Sequence, residues 1–138
     1  MAGFVLDSFA LLALLQAEPG AERVRQLLEE ADRGEQELYI SSVNFGEVFY
    51  NVEDRYGEDA ARELAVTLNE APLRVIEVDR TLALVAARFK AGTGVGYLDC
   101  FVAALAQRLG FPLVTGDPDF RRLEGRVQIE WLPADDTQ

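Results

Sequence analysis

The side chains best placed to do chemistry in this 138-residue chain are four carboxylates, Asp7, Glu47, Asp99 and Asp117, each where a predicted strand ends or a predicted helix begins. In an open α/β sheet, ligands bind in the crevice outside the carboxyl ends of the strands, so acids from distant segments can converge there. The four point to one metal site. Asp7 carries most of the weight: it sits between the apolar runs Phe4-Val5-Leu6 and Phe9 to Leu15, where an unpaired charge costs several kcal/mol. It is therefore a helix N-cap or a ligand, and its strand-end position favours the ligand. Asp117, in Thr115-Gly116-Asp117-Pro118-Asp119-Phe120, reads equally as an Asx-turn or a ligand. Asp99 falls in the first turn of a predicted helix, where negative charge is favoured whatever the function. It borders the stripe Leu98, Phe101, Val102, Leu105 and Leu109, so its carboxylate should face a crevice. Glu47 lies opposite the stripe Phe45, Val48, Phe49 and Val52, and on pattern alone is a solvated glutamate.

The chain contains no histidine. That excludes a histidine acid–base nuclease, a Ser-His-Asp hydrolase and histidine-ligated zinc. Cys100 is the single cysteine, so there is no disulfide framework, and a buried inert thiol is expected. The net charge of −11 argues against a broad basic face for nucleic acid, because long-range repulsion of phosphate would slow encounter. Any such contact must be local. Every basic residue except Lys90 is an arginine, and Arg121, Arg122 and Arg126 cluster just after Asp117. An arginine fork suits phosphate, although such a cluster also reads as solvated surface.

Short apolar strands separated by helices must position these groups. Strands are expected at residues 4–6, 38–40, 73–78, 112–115 and 127–131. Helices are expected at 9–15, 21–33, 43–56, 58–69, from Asp79 to about Lys90, and at 97–109, with Ala91 to Gly96 as a loop. Ser41-Ser42 and Asp79 offer N-caps. This is the pattern of an α/β/α sandwich with a central parallel sheet of four to five short strands. No linker or repeat interrupts it, so residues 1–138 are expected to form one domain. No apolar run approaches the length of a membrane span, and the N-terminus has no basic region or small-residue cleavage site. A soluble cytoplasmic protein is expected.

Four segments in order, Phe4-Val5-Leu6-Asp7-Ser8, Ser41 to Val48, Leu98 to Ala106 and Leu113 to Phe120, resemble the motifs of the PIN-domain nucleases, particularly VapC-type toxins. The resemblance covers about residues 4–132. It implies a metal-dependent endoribonuclease in which Asp7, Glu47, Asp99 and Asp117 bind Mg²⁺ or Mn²⁺, with Ser8, Thr115 and Asp119 in support and Arg121 and Arg122 in reach of RNA. It also implies a small VapB-like antitoxin, as in type II toxin–antitoxin pairs, and a homodimer. One departure is the glycine-rich Gly92-Thr93-Gly94-Val95-Gly96, where such toxins have a less flexible lead-in to the third acid. The chemistry agrees, since hard divalent cations take oxygen ligands and can position water for in-line attack on a phosphodiester.

Two other readings compete. A receiver-like phosphoacceptor domain also gathers acids at strand ends, with Asp79 as the candidate acceptor, but it expects an acidic pair where this chain has Asp7-Ser8. A catalytically silent PIN-like binding protein would not need all four acids.

Overall fold

The computed structural model describes residues 2–133. Its elements run β1 (Gly3–Leu6), α1 (Ser8–Leu15), α2 (Ala21–Asp32), β2 (Glu37–Ser41), α3 (Ser42–Tyr56), α4 (Glu58–Glu70), β3 (Arg74–Ile76), α5 (Arg80–Thr93), α6 (Tyr97–Leu109), β4 (Leu113–Thr115), a 3₁₀ helix (Pro118–Leu123) and β5 (Ile129–Trp131). All strand pairs are parallel, in the order β3-β2-β1-β4-β5.

Alternation along each strand builds two cores, because successive side chains leave opposite faces of a strand. Val5, Tyr39 and Leu113 face α5, α6 and the 3₁₀ helix. Their neighbours Leu6, Leu38, Ile40 and Val114 face helices α1 to α4. A sheet buried on both sides explains why its strands are continuous apolar runs. The strand order also removes the receiver-like reading, whose fold places its strands in the order 2-1-3-4-5. Asp79 caps α5 through the Leu82 N–H (2.8 Å) and pairs with Arg108 (3.0 Å), so its carboxylate is engaged in structure.

The helix ends follow local chemistry. Asp7, Ser41 and Asp79 each accept a backbone N–H as N-caps, satisfying donors that the first turn leaves free. The expected loop from Ala91 to Gly96 is shorter than the sequence suggests: α5 continues through Ala91, Gly92 and Thr93. Thr93 Oγ1 donates back to Phe89 O at 2.7 Å, so its hydroxyl is satisfied inside the helix. The stop is Gly94, at φ +72°, a left-handed conformation that glycine adopts without Cβ strain. The third strand is also shorter than expected, covering Arg74–Ile76 of residues 73–78, at an edge of the sheet.

Candidate metal centre

The strand connections diverge between β1 and β4, and such a switch point opens a crevice at the carboxyl ends of the two strands. Asp7 follows β1 and Thr115 ends β4. Asp7 is 2% exposed. Its Oδ1 accepts the Ala10 N–H at 2.8 Å and its Oδ2 accepts the Thr115 hydroxyl at 2.5 Å. Cap and site residue are thus compatible roles, served by different oxygens. Thr115 Oγ1 in turn accepts the Asp117 N–H at 3.0 Å. Ser8, half-buried, begins α1 beside Asp7.

Asp117 caps the 3₁₀ helix, its Oδ1 accepting the Asp119 N–H at 2.9 Å. This turn brings Asp119 back beside Asp117, while α6 delivers Asp99 from its first turn. Asp99, Asp117 and Asp119 each present a carboxylate oxygen, all within 4.8 Å of one another. Asp7 and Glu47 are not in this tight trio. Asp119, expected only in support, thus joins Asp99 and Asp117 through a 3₁₀ turn that nothing in Pro118-Asp119-Phe120 announces.

Electrostatics joins the acids more widely. Burial pushes the Asp7 carboxyl up to about 8; the Thr115 and Ala10 hydrogen bonds oppose that shift, and the charges of Asp99 and Asp117 add to it. Burial, then the charges of Asp117, Glu47 and Asp119, raises Asp99 to about 7. Like charges and desolvation both disfavour a carboxylate, so this pocket of acids is short of positive charge.

Glu47 reaches the site from α3 beside Asn44, a residue whose part the sequence does not announce. Asn44 is 1% exposed. Its Nδ2 donates to Leu98 O at 2.9 Å and to Glu47 Oε1 at 3.4 Å, while its Oδ1 accepts the Ser41 hydroxyl at 2.5 Å. Asn44 therefore ties Glu47 to the turn that carries Asp99. The available signal was Ser41 followed three residues later by an amide, a capping arrangement. Gly116 lies against Phe9, and a Cβ there would stand 2.4 Å from a Phe9 ring carbon. Arg121 and Arg122 are exposed on the 3₁₀ helix.

The PIN domain family model matches residues 4–126, from β1 through the 3₁₀ helix. Ribonuclease VapC of Mycolicibacterium smegmatis is 36% identical over 124 residues, spanning 85% of this chain and 93% of that protein. Among solved structures, the DNA-bound VapBC from Salmonella typhimurium superimposes with a TM-score of 0.71 at 26% identity, over 94% of this chain and 98% of that one. VapBC2 from Rickettsia felis, bound to a DNA fragment from its promoter, shares the fold with a TM-score of 0.75 at 18% identity, over 95% and 99% of the two chains. Since the matched residues include every acid of the crevice and the similarity extends over nearly the whole chain, this protein belongs to the PIN-domain family and, within it, to the VapC group.

Proposed function

We propose that this chain is an endoribonuclease, the toxin of a type II toxin–antitoxin pair, and that it works with Mg²⁺ or Mn²⁺ held among Asp7, Glu47, Asp99, Asp117 and Asp119. The observation that carries the reading is the trio of carboxylate oxygens within 4.8 Å, flanked by an aspartate whose carboxyl is pushed up to about 8. An all-oxygen donor set suits hard divalent cations such as Mg²⁺, which takes one or two carboxylates directly and keeps several waters through which further acids can act. The residues present therefore fit the group.

When bound, such a cation lowers the pKa of water and neutralises charge on a phosphodiester. Asp99, Asp117 and Asp119 would hold it. Asp7, fixed by Thr115 and the Ala10 N–H, backs the site from the sheet, and Asn44 holds Glu47 from α3. Burial and neighbouring like charge raise both the Asp7 and the Asp99 carboxyl, so a bound cation would favour their ionised forms. Hydrolysis by water leaves a 5′-phosphate and a 3′-hydroxyl and does not require the 2′-hydroxyl of the substrate.

The relatives named VapC and VapBC support a VapB-like antitoxin as partner. Phe45 and Phe49, packed edge-on at 4.8 Å between centroids, line an apolar cavity of about 480 Å³ with Leu68, Leu73 and Val75. This face suits a protein partner, either the antitoxin or a second copy. No described helix is long and apolar enough to cross a membrane, and the cytoplasm is the compartment in which such a nuclease meets RNA.

Incubating the purified protein with single-stranded RNA, with Mn²⁺, with Mg²⁺ and with EDTA, tests the activity. Cleavage with either metal, lost in EDTA and yielding 5′-phosphate ends, is expected. Undiminished cleavage by folded Asp99→Asn protein would overturn the assignment.

A further inference from the structure

A chain of net charge −11 gains little from a general attraction of phosphate, so contacts that do not depend on charge must help to hold a strand. For single strands the sequence-tolerant contact is stacking of a base on an aromatic ring, because every base has a π face. Tyr50, Tyr56 and Tyr97 are the exposed tyrosines. The ring of Tyr56, at the end of α3, already lies under the Arg55 guanidinium at 5.4 Å. Tyr97 precedes Asp99 by two residues and so leaves another side of α6, where it tilts against Phe101 at 4.8 Å. Tyr50 is 52% exposed. Among the described residues it enters no aromatic pair and lies under no guanidinium.

Position then singles out this open ring. Tyr50 follows Glu47 by three residues on α3, and residues so spaced are neighbours on one side of a helix. Phe45 and Phe49 project from a different side of α3 and line the apolar cavity. Asn44 ties Glu47 to the turn that carries Asp99, so Glu47 links the acids to the Tyr50 ring. The electrostatics agrees. Burial, then the charges of Asp117 and Glu47, raise Asp99; burial, then the charges of Glu47 and Asp54, push the Tyr50 phenol up. The one glutamate is thus felt by both, and the phenol stays uncharged at neutral pH and adds nothing to the negative charge of the acids.

We propose that Tyr50 is the platform on which one base of the substrate stacks, next to the phosphate held at the acids, and that the substrate is RNA whose bases are unpaired. The proposal rests on the ribonuclease reading. A base on Tyr50 is turned out of its own strand, and the strand is fixed by a contact that any base can make. Duplex RNA keeps its bases stacked inside the helix and has none to offer the ring. Tyr50 therefore sets affinity for single strands and loops without choosing a sequence.

Anisotropy of a short fluorescein-labelled RNA, single-stranded or annealed to its complement, tests this with Asp99→Asn protein in Mg²⁺. Tyr50→Ala in that background should weaken binding of the single strand about tenfold, within the range of one base–aromatic stack. The salt dependence should stay the same, because stacking neutralises no phosphate. Tyr50→Phe keeps the ring and should bind as the parent does, whereas Tyr50→Leu, apolar but without a π face, should lose as much as Tyr50→Ala. Tyr56→Ala, at an exposed tyrosine of the same helix, should change nothing, and duplex binding should be insensitive to Tyr50→Ala. Full single-strand affinity in folded Tyr50→Ala protein overturns the platform, as does an equal loss in Tyr56→Ala or Tyr50→Phe, or a parent that binds no single strand. Cleavage with Mn²⁺ and Asp99 intact is scored separately: Tyr50→Ala should raise KM about tenfold with kcat kept, since the stack is present both before and during the reaction. RNA left intact by the wild type in that assay overturns the ribonuclease reading, while the anisotropy series still decides whether Tyr50 stacks a base.

Discussion

The hydroxyl of Thr115 donates to the carboxylate of Asp7 at 2.5 Å, across the seam where the strand connections of the sheet diverge. The same oxygen accepts the Asp117 N–H, so one side chain sets the spacing between two acids. Thr115→Val keeps the shape and removes both interactions. Leaving a buried polar group unpaired costs about 1–3 kcal/mol, so the melting temperature should fall by several degrees and cleavage at least tenfold. Thr115→Ser should restore most of both. Thermal melts and cleavage rates of the two variants check this.

Crowded acids predict an inverted response to charge removal. Asp99→Asn deletes a carboxylate raised by burial and by three acidic neighbours. Without metal the variant should therefore melt above the wild type. Mn²⁺ at about a hundredfold excess over its dissociation constant should stabilise the wild type by ~2.7 kcal/mol and the variant much less. Equal Mn²⁺ shifts in both would count against a shared metal.

The pH dependence has a definite sign. Asp7 and Asp99 titrate in the folded protein at about 8 and about 7, against 3.8 for a free aspartate. Between these limits the folded state binds more protons than the unfolded one, so stability declines as pH rises through that window. In EDTA the melting temperature should be higher near about pH 5.5 than near about pH 8, and saturating Mn²⁺ should flatten or reverse the trend. A metal-free melting temperature that climbs toward pH 8 would contradict the burial of Asp7.

Asn44→Ala removes the side chain that holds Glu47 and Leu98 together. A loss of about 1–3 kcal/mol of stability is expected because the buried Ser41 hydroxyl is left without its acceptor. Cleavage should drop chiefly in kcat, because the Asn44 side chain is taken up by Ser41, Glu47 and Leu98 and acts by placing Glu47. A pure rise in KM would argue against this positioning role.

Gly116→Ala tests the close approach beneath Phe9. Accommodating the methyl displaces the half-buried Phe9 ring that packs against the core or shifts the turn that carries Asp117, and overpacking of this kind costs about 1–3 kcal/mol. Both a lower melting temperature and weaker Mn²⁺ binding are expected; isothermal titration separates the two.

What could be read from the residues depended on how local the cause was. The parallel sheet was legible because Phe4-Val5-Leu6 and Leu113-Val114-Thr115 are apolar on both faces. Asp79 as a cap was legible because capping acts within one turn. The end of α5 was not, because Gly92 and Gly94 compete as stops and only their packing decides. Asp7 stood out through its apolar neighbours. By contrast, Asn44 is joined to Leu98 across 54 positions of sequence, a contact set by how α3 meets α6. Asp119 was undervalued for a similar reason: its place beside Asp99 requires the 3₁₀ turn that follows Asp117.

The sheet order carries a consequence for the life of the chain in the cell. β1 lies at the centre although it is made first, and its neighbour β4, with Asp117 and Asp119 behind it, is made near the end. Chains fold progressively as they emerge during synthesis. A nascent chain that has displayed Asp7 and Glu47 still lacks Asp99, Asp117 and Asp119 and the strand that must dock beside β1. The acidic centre thus closes only after β4 and the 3₁₀ helix have left the ribosome, and a product that stops before β4 lacks Asp117 and Asp119 altogether.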